Sequence, residues 1–104
     1  MMTPTNQWVI KQMKDVFNQV VSVNEIGSES IVLEREALDK RLLPHYGKEL
    51  HLSELLLVHL YEVMQQENHY QVYILADEEN GQWQLVGFIK NGSLMHSYVV
   101  KEVI

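Results

Sequence analysis

Apolar positions near the N-terminus recur at helical spacing. At about 100° per residue, Val9, Ile10, Met13, Val16, Phe17, Val20 and Val21 share one arc, and Lys11, Gln12, Lys14, Asp15, Asn18 and Gln19 share the other. Thr3-Pro4 reads as an N-cap followed by proline at the first helical position. The pattern predicts an amphipathic helix over residues 4–20. Trp8 falls outside its apolar arc, beside Gln12, Asp15 and Gln19. Val20, Val21 and Val23 are β-branched and Gly27 follows, so residues 21–26 read either as a frayed helix end or as a first strand. Ser30 to Glu34 predicts a strand, and with an extended 21–26 it would form a hairpin around Gly27-Ser28. Glu36 to Leu43 reads as a short helix stopped by Pro44, with a loop over residues 45–48.

A second helical rhythm covers residues 52–67. Leu52, Leu56, Leu57, Leu60, Tyr61, Val63 and Met64 make a broad apolar arc, which suggests contact with more than one neighbour. Leu55 and Val58 sit among Glu54, His59, Glu62, Gln65 and Gln66 on the opposite side and fit that side poorly.

Beyond this segment the composition turns to Val, Ile, Tyr, Phe and Trp. Residues 71–77, 82–90 and 93–100 are separated by Asn80-Gly81 and Asn91-Gly92. Asn-Gly between two such runs is a hairpin signal, because a type I′ turn needs positive φ at both central residues. Two-residue loops at both places would set the register. One face would then carry Val72, Ile74, Ala76, Trp83, Leu85, Gly87, Ile89, Leu94, His96, Tyr98 and Val100. The other would carry Tyr73, Leu75, Gln84, Val86, Phe88, Met95, Ser97 and Val99. A longer loop at Asn80-Gly81 would slip the first pairing by one residue and exchange faces for that strand. In either register neither face is polar. Helices must then cover both sides, or one face meets another chain.

Length and composition add bounds. A chain of 104 residues is one domain, residues 1–104, and large enough to bury a core without staples. There is no cysteine, which removes disulfides, thiolate metal sites and cysteine nucleophiles together. Residues 1–7 are polar and Trp8-Val9-Ile10 is broken by Lys11, so no signal peptide is expected. The longest unbroken apolar run, Leu55 to Val58, is far short of a membrane span. The expected location is cytoplasmic. The net charge is −6, with six Lys/Arg and seven Asp/Glu over residues 1–52, and two and seven over residues 53–104. Such a chain repels phosphate backbones and anionic lipid, so neither nucleic acid nor membrane is an expected partner.

The candidate chemistry is sparse. On a central helix His51, His59 and Glu62 would lie on one side, but His51 and His59 would stand about 12 Å apart along the axis, too far for one ion. No metal and no cofactor is expected. Asp77-Glu78-Glu79-Asn80-Gly81 lacks the spacing of a calcium loop. Ser28, Ser30 and Ser53 lack a nucleophile's setting, and Ser53 reads as a helix cap. The five glycines are dispersed, with no phosphate-binding loop. In the tight-turn register His96 stands opposite Gly87, so a ligand pocket bordered by His96, Tyr98, Trp83 and Gly87 is one expectation; the other is that Gly87 makes room for a bulky neighbour. Trp8 on its polar face either marks an interface or folds back on a neighbouring segment.

The expected fold is therefore α+β: an antiparallel sheet ending in a three-strand meander, packed by an N-terminal and a central amphipathic helix. The expected function is a non-catalytic binding or accessory module acting through protein contacts as a homodimer, with an interface drawn from Trp8, Phe88, Val86, Met95 and Val99. The alternative is a ligand-binding domain or small enzyme at His96, Tyr98 and Trp83.

Overall fold

The computed structural model describes residues 5–44 and 51–100. Helix α1 spans Asn6–Phe17. A five-stranded antiparallel sheet follows: β1 Ile26–Glu34, β2 Leu55–Gln65, β3 Asn68–Asp77, β4 Trp83–Lys90 and β5 Ser93–Val99. The strands lie in chain order, so each pairs with the one before and after it.

Helix α1 is capped at both ends by side-chain chemistry. The Thr5 hydroxyl accepts the Trp8 N–H, and Thr3-Pro4 lies outside the described residues. The helix ends earlier than expected because Asn18 adopts a left-handed φ of 55°, and its N–H returns to the Lys14 carbonyl. Ile26 opens β1, and residues 21–25 are neither helix end nor strand. They run through a short 3-10 turn, Val23–Glu25, held where the Glu25 carboxylate accepts the Ser22 N–H and hydroxyl. Gly27-Ser28 is no turn: it lies inside β1.

The expected central helix is a strand. Residues 55–65 form β2, pairing with β1 on one side and β3 on the other. Its even-numbered apolar residues, Leu56 and Val58, are buried on one side of the sheet, and Tyr61 and Val63 on the other. Because both sides of this strand meet apolar cover, its alternation is masked and its Leu, Met, Glu and Gln content mimics a helix. Val58, a poor fit on the helical wheel, is a core residue. The turn into β3 is Gln66-Glu67, both left-handed at φ 53° and 66°. The segment from Glu36 to Leu43 is likewise not one helix but two 3-10 turns, Arg35–Ala37 and Lys40–Leu42, joined through extended Leu38.

The last hairpins correct the expected register. Asn91-Gly92 is a two-residue turn with both φ positive, and Lys90 pairs with Ser93. The chain between β3 and β4 is longer. The Asp77 carboxylate captures the N–H groups of Glu79 and Asn80, the Gly81 N–H returns to the Asp77 carbonyl, and only Gly81 takes positive φ. The pairing slips accordingly, with Ile74 opposite Val86 and a bulge between Leu75 and Ala76. A second bulge between Phe88 and Ile89 sets Phe88 opposite His96 and Gly87 opposite Ser97.

Two cores result, one on each face. On the first, Tyr61, Val63, Tyr70, Val72, Ile74, Trp83, Val86 and Phe88 pack under Val9 and Met13 of α1 and under Val21. On the second, Leu56, Val58, Tyr73, Leu75, Leu85 and Ile89 pack under Leu33, Leu38, Leu42, Leu43 and Leu52. A helix thus covers one face, and a strap of turns over residues 35–43 covers part of the other. No helix among the described residues is long and apolar enough to cross a membrane.

Candidate binding surface

The strap is fastened to the second face at defined points. The Tyr73 hydroxyl donates to the Leu42 carbonyl at 2.7 Å. The Arg35 guanidinium donates to the Leu52 carbonyl at 2.8 Å, and the Arg35 N–H to the Glu54 carbonyl at 2.8 Å. Asp39 accepts the Arg41 N–H and pairs with its guanidinium, which holds the Asp39 carboxyl below the usual carboxylate range. Farther along, the Ser53 hydroxyl donates to Asp77 in a short hydrogen bond and accepts from the Gln84 amide, while the Ser53 N–H donates to Gln84 Oε1. Ser53 is therefore a clamp between β3 and β4 rather than a helix cap. The Asp77 carboxyl is lowered chiefly by that Ser53 bond and next by the Asn80 N–H.

Between strap and sheet lies an apolar groove of about 220 Å³. Ile31 and Leu33 of β1, Leu38, Leu42 and Leu43 of the strap and Leu60 of β2 form much of its wall; Asp39 and Gln71 are its polar residues. Ile31 on its wall is 44% exposed, and Val32 and Leu55 are exposed on the opposite face of the same sheet edge. Serine and glutamate fill much of the rest of β1, which is exposed along nearly its whole length.

The residues expected to form a pocket are distributed differently. Gly87 and His96 are not opposite one another, because the bulge at Phe88/Ile89 shifts the register. The space over Gly87 is filled by the Tyr73 ring on the second face. His96 is exposed and stacks on Phe88 of the first face at 5.7 Å between ring centroids, with Tyr98 beside it at 6.3 Å. Burial raises the Tyr98 hydroxyl above its ordinary value. Trp83 lies buried on that same face, under Trp8 rather than against His96.

The residues expected at an interface also separate. Val86 and Phe88 are fully buried beneath α1, Val99 packs on the second face, and Met95 is exposed at the β4–β5 bulge. Trp8 packs edge-on to Trp83 at 5.2 Å, folding back on the sheet.

The histidine and glutamate of the supposed central helix are strand residues. His59 Nδ1 lies 2.9 Å from the Ser30 hydroxyl across the β1–β2 pair, and burial lowers its imidazole below the ordinary value. His69 approaches Glu62 at 3.7 Å across β2 and β3. Among the described residues no group of three or more His, Asp or Glu is placed to hold a metal.

Sequence reasoning missed the groove because Leu38, Leu42, Leu43, Val58 and Leu60 of its wall come from segments read as helices. The signal available was the strap's own spacing, Leu38, Leu42 and Leu43, just before a proline. Compared with protein-family models, with curated proteins and with solved structures, the chain finds no match.

Proposed function

We propose that this chain is a non-catalytic binding module that acts through protein contacts, self-association among them. The observation that carries the reading is the open side of the sheet. Ile31, on the wall of an apolar groove covered by a strap of turns, and Val32 and Leu55, on the opposite face, are all exposed along β1 and the start of β2. Exposed apolar residues gathered along one edge mark interaction sites more often than scattered ones do. Sedimentation velocity of the full chain over a micromolar range tests it. A concentration-dependent dimer is the expected result, and a strict monomer would remove self-association from the reading.

A second reading has its own support. The groove exceeds the engineered cavities of about 150 Å³ that take up benzene, so a small apolar ring or short aliphatic chain fits it. Its site would be the groove wall, on the opposite face from His96 and Tyr98. Titration with indole, followed by amide chemical shifts of Leu38, Leu42 and Ile89, would support this reading; unchanged shifts at millimolar probe would end it.

A further inference from the structure

A sheet edge that pairs with nothing offers a row of free N–H and C=O groups. Proteins usually blunt such an edge with lysine, proline, a bulge or a cover. Among the described residues this sheet has two edges, β1 and β5. The β5 edge is blunted: a bulge interrupts its ladder, and the second 3-10 turn of the strap packs against it. Among the described residues the β1 edge has no lysine, proline, bulge or cover, and its charges are Glu29 and Glu34. Its nine residues pair with β2 in unbroken register, and Ile26–Glu34 contains no lysine, arginine or proline. Ile31 is 44% and Val32 54% exposed, one on each face.

We propose that the outer edge of β1 pairs antiparallel with β1 of a second copy, about a two-fold axis at Ile31. This rests on the self-association read above and gives it a site.

Symmetry and charge together select the position. A two-fold axis perpendicular to the joint sheet keeps each face on its own side, so residues directly opposite must belong to the same face, and the axis must pass through a residue. An axis at Glu29 would set two carboxylates directly opposite one another. One at Ser30 would leave the two Glu29 side chains diagonal on one face, where Glu62 of β2 adds further negative charge. At Val32 the paired stretch shrinks to Ser30–Glu34. With the axis at Ile31, Ser28–Glu34 of both copies pair. Glu29 then faces the partner's Leu33 and Glu34 the partner's Ser28, so no carboxylate stands directly opposite another. Ser30 faces the partner's Val32. Ile31 meets the partner's Ile31 on the face that carries the groove, so the two grooves join across the axis into one continuous apolar trough.

The chain has no cysteine, so a single introduced thiol reports the register without background. Directly opposed strand residues stand about 4.5–5.5 Å apart at Cα, within reach of a disulfide. Mild oxidation of the full chain carrying Ile31→Cys is expected to give a covalent dimer, and Ser30→Cys far less of it. Ile31→Lys is expected to raise the dimer dissociation constant at least tenfold in sedimentation equilibrium, and Val32→Lys, on the other face of the same edge, to do likewise. Met95→Lys, on the β5 edge, is expected to leave it unchanged. Circular dichroism confirms that each variant is folded. A dimer indifferent to both β1 lysines but weakened by Met95→Lys would overturn this inference and leave the self-association reading intact. Cross-linking through Ser30→Cys but not Ile31→Cys would overturn the axis position. A wild-type chain that stays monomeric at all concentrations would overturn both.

Discussion

Tyr73 occupies the space a side chain at position 87 would need: a Cβ built on Gly87 would overlap the Tyr73 ring at Cζ, Cε2 and the hydroxyl. The two residues are direct partners across β3 and β4, and the ring covers the glycine on the second face. Gly87→Ala must therefore displace an aromatic ring that is itself buried. A loss of about 3 kcal/mol in urea unfolding is expected from such overpacking. In a Tyr73→Leu background the same substitution should cost much less, because the obstruction has gone. Equal costs in both backgrounds would show that the clash is not the cause.

The same tyrosine fastens the strap. Its hydroxyl donates to the Leu42 carbonyl, on a 3-10 turn whose remaining anchors are the apolar contacts of Leu38, Leu42 and Leu43. Tyr73→Phe keeps the ring over Gly87 and removes only the hydroxyl. The expected loss is about 1 kcal/mol of stability. Hydrogen exchange should rise within residues 38–43 more than in β3 itself. Uniform exchange changes across the sheet would contradict a local role.

Gln66-Glu67 makes a tight turn with residues poorly suited to it. Both have positive φ, a region that side chains other than Asn, Asp and Gly enter at a cost. Replacing the pair by Asn-Gly, the combination already present at Asn91-Gly92, should stabilise the chain by about 1 kcal/mol. The check is a rise in the urea midpoint with an unchanged slope.

Burial holds the His59 imidazole below its ordinary value of 6.5. The unfolded chain takes up a proton at His59 as pH falls through that value, while the folded chain resists until lower pH. In this window the unfolded state binds more protons, so stability falls as pH falls. Above it the contribution is complete; below the folded value the loss is finished. His59→Gln should remove that part of the decline, which comparing unfolding midpoints at about pH 7 and about pH 5.5 would reveal. An identical decline in the variant would place its origin at other groups.

What could be read in advance was what local chemistry decides. The arc of Val9, Met13 and Phe17 finds its helix, and Asn91-Gly92 finds its turn, because each signal lies within a few residues of what it specifies. Leu55–Gln65 failed for a tertiary reason: a strand buried on both faces has no polar side to show, so Leu56, Leu57 and Leu60 look like one helical face. Its turn at Gln66-Glu67 lacks the residues that announce a hairpin. The Asn80-Gly81 turn misled because the Asp77 carboxylate, three residues earlier, captures two N–H groups and lengthens the loop. The bulge between Leu75 and Ala76 then carried Val86 and Phe88 beneath α1, and the bulge between Phe88 and Ile89 separated Gly87 from His96. Two apolar faces were legible; which residue lay on which depended on two bulges that no local signal announces.

The order of the strands also shapes how the sheet assembles. β2 to β5 are joined by short turns, so each ladder closes over a small span of chain and can form quickly. β1 differs. Its ladder with β2 closes only after the long connection from Arg35 to Glu54 has been gathered in, and that closure costs more chain entropy. Chain entropy therefore favours assembly of the four C-terminal strands first, with β1 and its strap expected to dock onto them. In the folded protein Arg35, bonded to Leu52 and Glu54 at the far end of that connection, is the latch that ties the end of β1 to the segment leading into β2.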